Sequence, residues 1–173
     1  MGLWQRLAGR KAENPAASLY AAIVGVGREP DWYVAGAVPD TVDGRFDMIA
    51  SVLAIVMLRL ESEPTPAAAA ASARLTECFV EDMDGQLRQF GVGDVIVGKR
   101  VGKIMGLLGG RLAAYRDGLA GAASFDEALV RNLYRGAHPG EAALAHVAAR
   151  LRALHGELAK VELDALMAGR LSA

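Results

Sequence analysis

The longest apolar stretch of the chain sits behind a polar turn. Pro39-Asp40-Thr41-Val42-Asp43-Gly44 is dense in residues that favour turns and helix caps. Behind it, Phe46, Ile49, Leu53, Val56 and Leu60 recur at three- and four-residue steps, while Val52, Ile55, Met57 and Leu58 make much of the remaining circumference apolar. The pattern predicts a helix over about 45–61 wrapped on several sides by others. Length argues against a membrane span. Between Asp47 and Arg59 lie about eleven residues without formal charge, whereas crossing hydrocarbon takes on the order of 20.

The flanking segments repeat the helical period. From Ala16 to Arg28, the residues Leu19, Tyr20, Ile23, Val24 and Val26 share a broad face, and Gly27 with Pro30 closes the helix. Pro30 to Gly44 reads as a long ordered connection carrying Trp32 and Tyr33. Two prolines end the central helix, and Pro66 is placed to open the next, which runs through an alanine tract and Leu75, Cys78, Phe79, Met83 and Leu87 to a stop at Gly91. Asp94 is the expected cap of a long helix from Val95 to about Leu119. Ser124 and Glu127 form a capping box for a short helix closed by Gly136, and a last helix is expected from Glu141 nearly to the end. The sum is an all-α, single-domain bundle of about six to seven helices over residues 15–173. Residues 1–14 form a basic amphipathic segment in which Leu3, Trp4 and Leu7 face away from Arg6, Arg10 and Lys11.

The long helix carries a ridge of small residues. Gly98, Gly102, Gly106, Gly110, Ala114, Gly118 and Ala122 fall at every fourth position, with Gly109 beside them. Each interior glycine costs a helix about 0.5–1 kcal/mol relative to alanine. Small residues at this spacing let another helix backbone come close. That second helix belongs either to this domain or to a partner.

Composition sharpens the picture in two respects. A hydrophobic fraction of 53% with only 6% aromatics reflects alanine-rich, close-packed helices. A net charge of −1 provides no global basic field, so DNA is not an expected partner. Sign is unevenly spread: Glu77, Glu81, Asp82 and Asp84 form an acidic cluster, and Lys99, Arg100, Lys103, Arg111 and Arg116 follow on the next helix. Trp4, Arg6, Arg10 and Lys11 suit an anionic membrane surface. Cys78 is the sole cysteine, which excludes an intramolecular disulfide and fits a reducing compartment. The start, MGLWQRLAGRK, lacks the apolar core of an export signal, so the expected location is cytoplasmic.

Reactive chemistry is sparse. His138, His146 and His155 are not spaced as a metal set, and neither Gly25-Val26-Gly27 nor Gly91-Val92-Gly93 continues as a dinucleotide fingerprint. Asp40, Asp43, Arg45 and Asp47 crowd one helix start, and Asp82, Asp84 and Asp94 surround another junction. Caps and ion pairs between helices explain them better than acid–base catalysis. No enzyme activity, cofactor or metal is expected.

The identities of these polar residues carry a further signal. Val38-Pro39-Asp40-Thr41 with Asp43-Gly44-Arg45-Phe46-Asp47-Met48, then Glu81-Asp82-Met83-Asp84 with Leu87-Arg88, then Gly91-Val92-Gly93-Asp94 with Val97-Gly98-Lys99-Arg100-Val101, and finally Gly110-Arg111 with Ala114-Tyr115, resemble the signature of the ubiquinol–cytochrome c chaperone family. The blocks cover about residues 19–120 in the family's order, leaving the C-terminal helices over 124–171 outside. The resemblance implies a helical, non-enzymatic assembly factor for the cytochrome bc1 complex that binds newly made cytochrome b. It also implies work beside the ribosome, at the cytoplasmic face of the inner membrane, with a small partner protein.

The resemblance does not itself assign client-contacting residues. On physical grounds, Gly102, Gly106 and Gly110 are expected to accept a client helix, flanked by Lys99, Arg100, Lys103, Arg111 and Tyr115. Pro39, Asp40, Asp43, Gly44, Arg45, Asp47, Asp82, Asp84, Gly91, Gly93 and Asp94 are expected to be architectural. The alternative reading is a peripheral membrane or ribosome adaptor that positions other assembly factors through its basic segments.

Overall fold

The computed structural model describes residues 14–89 and 94–172, apart from the side chains of 84–101. Among these residues there are eight helices and no strand: α1 (Ala17–Gly27), α2 (Pro30–Val34), α3 (Val42–Glu61), α4 (Pro66–Gln89), α5 (Asp94–Leu119), α6 (Phe125–Asn132), α7 (Glu141–Leu158) and α8 (Leu163–Met167). The all-α bundle expected from the sequence is the fold.

α3 is the axis. Every residue from Asp47 to Leu58 is buried, on all sides of the helix, and α1, α4, α5 and α7 pack around it. Burying a side chain such as Leu53, Ile55 or Val56 contributes about 1.5–3 kcal/mol, so this helix supplies much of the driving force for collapse. α6 bridges α5 and α7, and α1 leans on α4. No helix among the described residues is long and apolar enough to cross a membrane.

α3 begins at Val42, three residues before the apolar pattern starts, because the turn itself is built to cap it. Thr41 Oγ1 accepts a hydrogen bond from Gly44 N at 3.1 Å. Gly44 lies against the carbonyl of Pro39, so close that a Cβ placed there would sit 1.9 Å from the oxygen. Asp40 and Arg45 close the turn on the outside through an exposed 2.6 Å ion pair. Ser124 caps α6 as expected, accepting from Glu127 N at 3.2 Å.

Two expectations are corrected. The connection after α1 contains a further helix, α2, opened by Pro30. It forms because Trp32 is buried and donates from Nε1 to Val26 O at 2.7 Å, while Tyr33 OH donates to Gly27 O at 2.6 Å, so both aromatics tie the segment back to α1. The last helix is also not continuous. It stops at Leu158 and resumes as α8, because the Arg59 guanidinium takes the carbonyls of Leu158 (3.0 Å) and Val161 (2.9 Å) that a continuing helix would have used.

The Pro39 carbonyl leaves no room for a side chain at Gly44. Gly44→Ala should therefore lose about 1–3 kcal/mol of stability, seen as a melting temperature lower by roughly 3–10 °C. An unchanged melting temperature would show that the turn can open without cost.

Candidate functional site

α5 has two unlike faces. The inner face is Leu108, Arg111, Tyr115 and Gly118, all set against the body of the protein. Leu108 and Tyr115 are buried in the core, and Tyr115 meets Phe125 edge-on with ring centroids 5.3 Å apart. Gly118 lets α6 come close, since a Cβ there would lie 2.7 Å from Phe125 Cα. The outer face is Gly102, Gly106, Gly109 and Gly110, where a Cβ would meet nothing within 4 Å. Leu107 lies beside them with half its surface exposed. Of the two readings of the glycine ridge, packing within the domain accounts for Gly118. The other four glycines face open space among the described residues.

The inner face is fixed by a buried polar ladder. Asp47, 4% exposed near the start of α3, receives the Arg111 guanidinium at 2.9 Å, and Arg111 itself is only 3% exposed. One turn further along both helices, Ser51 Oγ lies 2.9 Å from Tyr115 OH and donates to Asp47 O at 2.8 Å. Burial raises the pKa of the Tyr115 phenol above its ordinary value. It therefore stays a hydroxyl.

A third element completes the ladder. Arg135 Nε meets the second Asp47 oxygen at 2.6 Å, and its Nη1 meets Asp43 at 2.6 Å. Those pairings raise the Arg135 pKa, the hydrogen bond to Asp47 most of all. Arg135 stands in the left-handed backbone region with φ 53°, unusual for a residue with a side chain. That conformation turns the chain sharply after α6 and is tolerated where it delivers the guanidinium to two carboxylates.

Arg111 remains incompletely satisfied. Its Nη2 donates to Asp47 and to the carbonyl of Asn132, but Nε and Nη1 are buried without a hydrogen-bond partner. Leaving a buried donor unmet costs about 1–3 kcal/mol, so a protein keeps such a group only for a reason. Arg111 sits in the wall of a cleft of about 700 Å³ between α3, α5 and the turn after α6.

The residues expected to bind a partner thus divide. Gly102, Gly106 and Gly110 are open and Lys103 is exposed, whereas the Arg111 and Tyr115 side chains are buried and hold α5 to α3. Among the architectural set, Pro39, Asp40, Asp43, Gly44, Arg45 and Asp47 form one knot at the start of α3. Asp82 accepts a hydrogen bond from Tyr20 OH at 2.7 Å and so ties α4 to α1. Trp4, Arg6, Arg10, Lys11, Gly91 and Gly93 lie outside the described residues, as do the side chains of Asp84, Asp94, Lys99 and Arg100. Of the methionines considered as adaptable contacts, Met48, Met57 and Met83 are core residues, and Met105 is partly buried against the core. Sequence reasoning missed Ser51 and Arg135. Ser51 is the one hydroxyl in an apolar run, a signal that was available; Arg135 gave none, standing in a loop 88 residues from Asp47.

The fold and this site define an all-helical protein with an open small-residue helix face. Residues 35–173 match the model of the ubiquinol–cytochrome c chaperone family, and the chain belongs to that family. It is similar in structure to the Cbp3 homolog from Brucella abortus, with a TM-score of 0.80 and 28% sequence identity over 92% of this chain and 88% of that one. Comparison with curated proteins returned no match.

Removing one partner of a buried ion pair strands the other. Asp47→Asn should cost about 3–5 kcal/mol in chemical denaturation, whereas the double change Asp47→Leu with Arg111→Met should cost less than Asp47→Asn alone. Simple additivity of the single losses would show that the two side chains are not coupled.

Proposed function

We propose that this chain is a non-enzymatic chaperone that holds newly made cytochrome b during assembly of the ubiquinol–cytochrome c reductase complex, and that the open face of α5 is where it holds it. Family membership supports the class of work. The observation that carries the assignment of the surface is the run of four glycines whose Cβ positions face empty space, beside the half-exposed Leu107.

A transmembrane helix awaiting its partners presents apolar side chains and a backbone whose polar groups are already satisfied. Helices of that kind associate through close packing over small residues, because lipid gives no hydrophobic drive between them. Gly102, Gly106 and Gly110 offer the same geometry on the chaperone. A client helix can approach the α5 backbone closely, with its side chains straddling the ridge and touching Leu107 and Met105. No bond is made or broken; the chaperone covers surface and then gives way to the client's permanent neighbours. Such work fits a protein that acts peripherally at the cytoplasmic face of the inner membrane.

The test joins cell and protein measurements. Deleting the gene should lower assembled bc1 complex while cytochrome b message persists, and photocrosslinkers at positions 102, 106 and 110 should capture cytochrome b. Gly106→Ala should raise helix stability by about 0.5–1 kcal/mol, since nothing lies near the added methyl. Gly106→Leu should keep the melting temperature yet reduce capture about tenfold, an interface loss of about 1.4 kcal/mol. Unchanged bc1 levels on deletion, or crosslinks from this face that never include cytochrome b, would overturn the reading.

A further inference from the structure

The cleft beside α5 contains more positive charge than its carboxylates neutralise. Among the described residues four cations border it, Lys103, Arg111, Arg131 and Arg135, against Asp43 and Asp47. Both carboxylates are engaged, Asp47 by Arg111 and Arg135 and Asp43 by Arg135. Lys103 and Arg131 are exposed at the mouth, and neither pairs with a carboxylate among the described residues. Four positive charges less two negative ones leave the cleft at +2.

The buried end is unusual in the same sense. Of the five N–H groups of an arginine, those on Nη2 of Arg111 are used by Asp47 and the Asn132 carbonyl, which leaves the one on Nε and the two on Nη1 without an acceptor. Those groups are sealed from the cleft and lie beside the Tyr115 phenol, so the donors the cleft offers to an anionic oxygen are the exposed Lys103 and Arg131. A phosphate suits two such cations at once, since its three or four oxygens can be shared between a lysine and a guanidinium. Beside Asn132 and Gly136, the remaining wall is apolar. Ile104 and Leu107 line it, and Leu107 continues out to the open face of α5.

We infer that this cleft binds the phosphate of an anionic phospholipid, with the headgroup oxygens on Lys103 and Arg131 and the start of an acyl chain along Ile104 and Leu107. A free phosphate would use the same donors but gain nothing from the apolar wall. The inference is independent of which client α5 holds.

The experiment is flotation of the full chain with vesicles of phosphatidylcholine alone or mixed with phosphatidylglycerol, alongside calorimetric titration with inorganic phosphate. The wild-type chain should float with the anionic vesicles only. The Lys103→Gln, Arg131→Gln double variant should bind them about 30-fold more weakly, roughly fivefold for each basic residue withdrawn from an anionic surface. A control that removes two exposed cations elsewhere, Lys160→Gln with Arg170→Gln, should weaken binding less than threefold. Both double variants should melt as the wild type does, because all four side chains are exposed. Equal weakening by the two double variants would reduce the effect to bulk charge and overturn the site. Absence of vesicle binding by the wild type would overturn it as well. Saturable binding of inorganic phosphate that is lost in the Lys103, Arg131 variant, with vesicle binding unaffected, would assign the cleft to free phosphate and overturn the lipid.

Discussion

A carboxylate buried at the head of an otherwise apolar helix must be compensated, and the way Asp47 is compensated arranges half the protein. Taking a charge out of water costs several kcal/mol after relaxation, and the chain offsets that with two guanidinium groups from separate elements, Arg111 of α5 and Arg135 of the turn after α6. Neither helix is free to slide. The next rung, Ser51 with Tyr115, keeps the same sequence offset as Asp47 with Arg111, 64 residues in each case, so α3 and α5 run in the same direction where they meet. An apolar seam alone would tolerate a shift by one turn; two polar rungs in register do not, because a shifted pairing would bury an uncompensated charge.

That constraint explains how α5 can be packed on one side and bare on the other. Glycines at 102, 106, 109 and 110 lower helix propensity without any compensating contact inside the protein. Among the described residues their helix is held on its opposite face, by Leu108, Arg111, Tyr115 and the close approach of Phe125 to Gly118. Order on the open face is borrowed from the anchored one. Arg111 belongs to the buried set, since its Nη2 locks α3 to α5 through Asp47 and its remaining nitrogens are sealed inside.

Much of this architecture was legible in the sequence, and the parts that were not share a physical cause. The period of the apolar residues located α1, α3, α4, α5 and α6, because each buries a continuous stripe. The cap-rich turn before α3 and the capping box at Ser124 followed from short-range hydrogen-bonding chemistry, while the close of α6 expected at Gly136 falls earlier, at Asn132. α2 was invisible because five residues carry no period; it exists through Trp32 and Tyr33 reaching back to α1 carbonyls. The break between α7 and α8 was hidden for the same reason, as its cause is Arg59, about 100 residues away. Arg111 illustrates the limit most sharply. As a charge in a run of charges it reads as surface, and only the position of Asp47 in space makes it a core residue.

On the function proposed above, the open glycine face would reconcile two demands that conflict in any protein handling membrane segments. A surface sticky enough to cover a transmembrane helix would ordinarily be sticky toward copies of itself, since large exposed apolar patches promote association. Glycine avoids the conflict because it presents backbone in place of a side chain. Free in water, the face exposes little apolar area, and among the described residues the large exposed hydrophobics are only Val34, Val42 and Leu107. Attraction then arises only when a surface of complementary shape comes near enough for dispersion to act at contact distance. A helix with its own bulky ridges can do so by straddling the glycines. Selectivity for helices over unstructured chain follows from geometry alone, because an extended chain cannot match the four-residue spacing of the ridge and would leave its own amides unpaired against the α5 backbone.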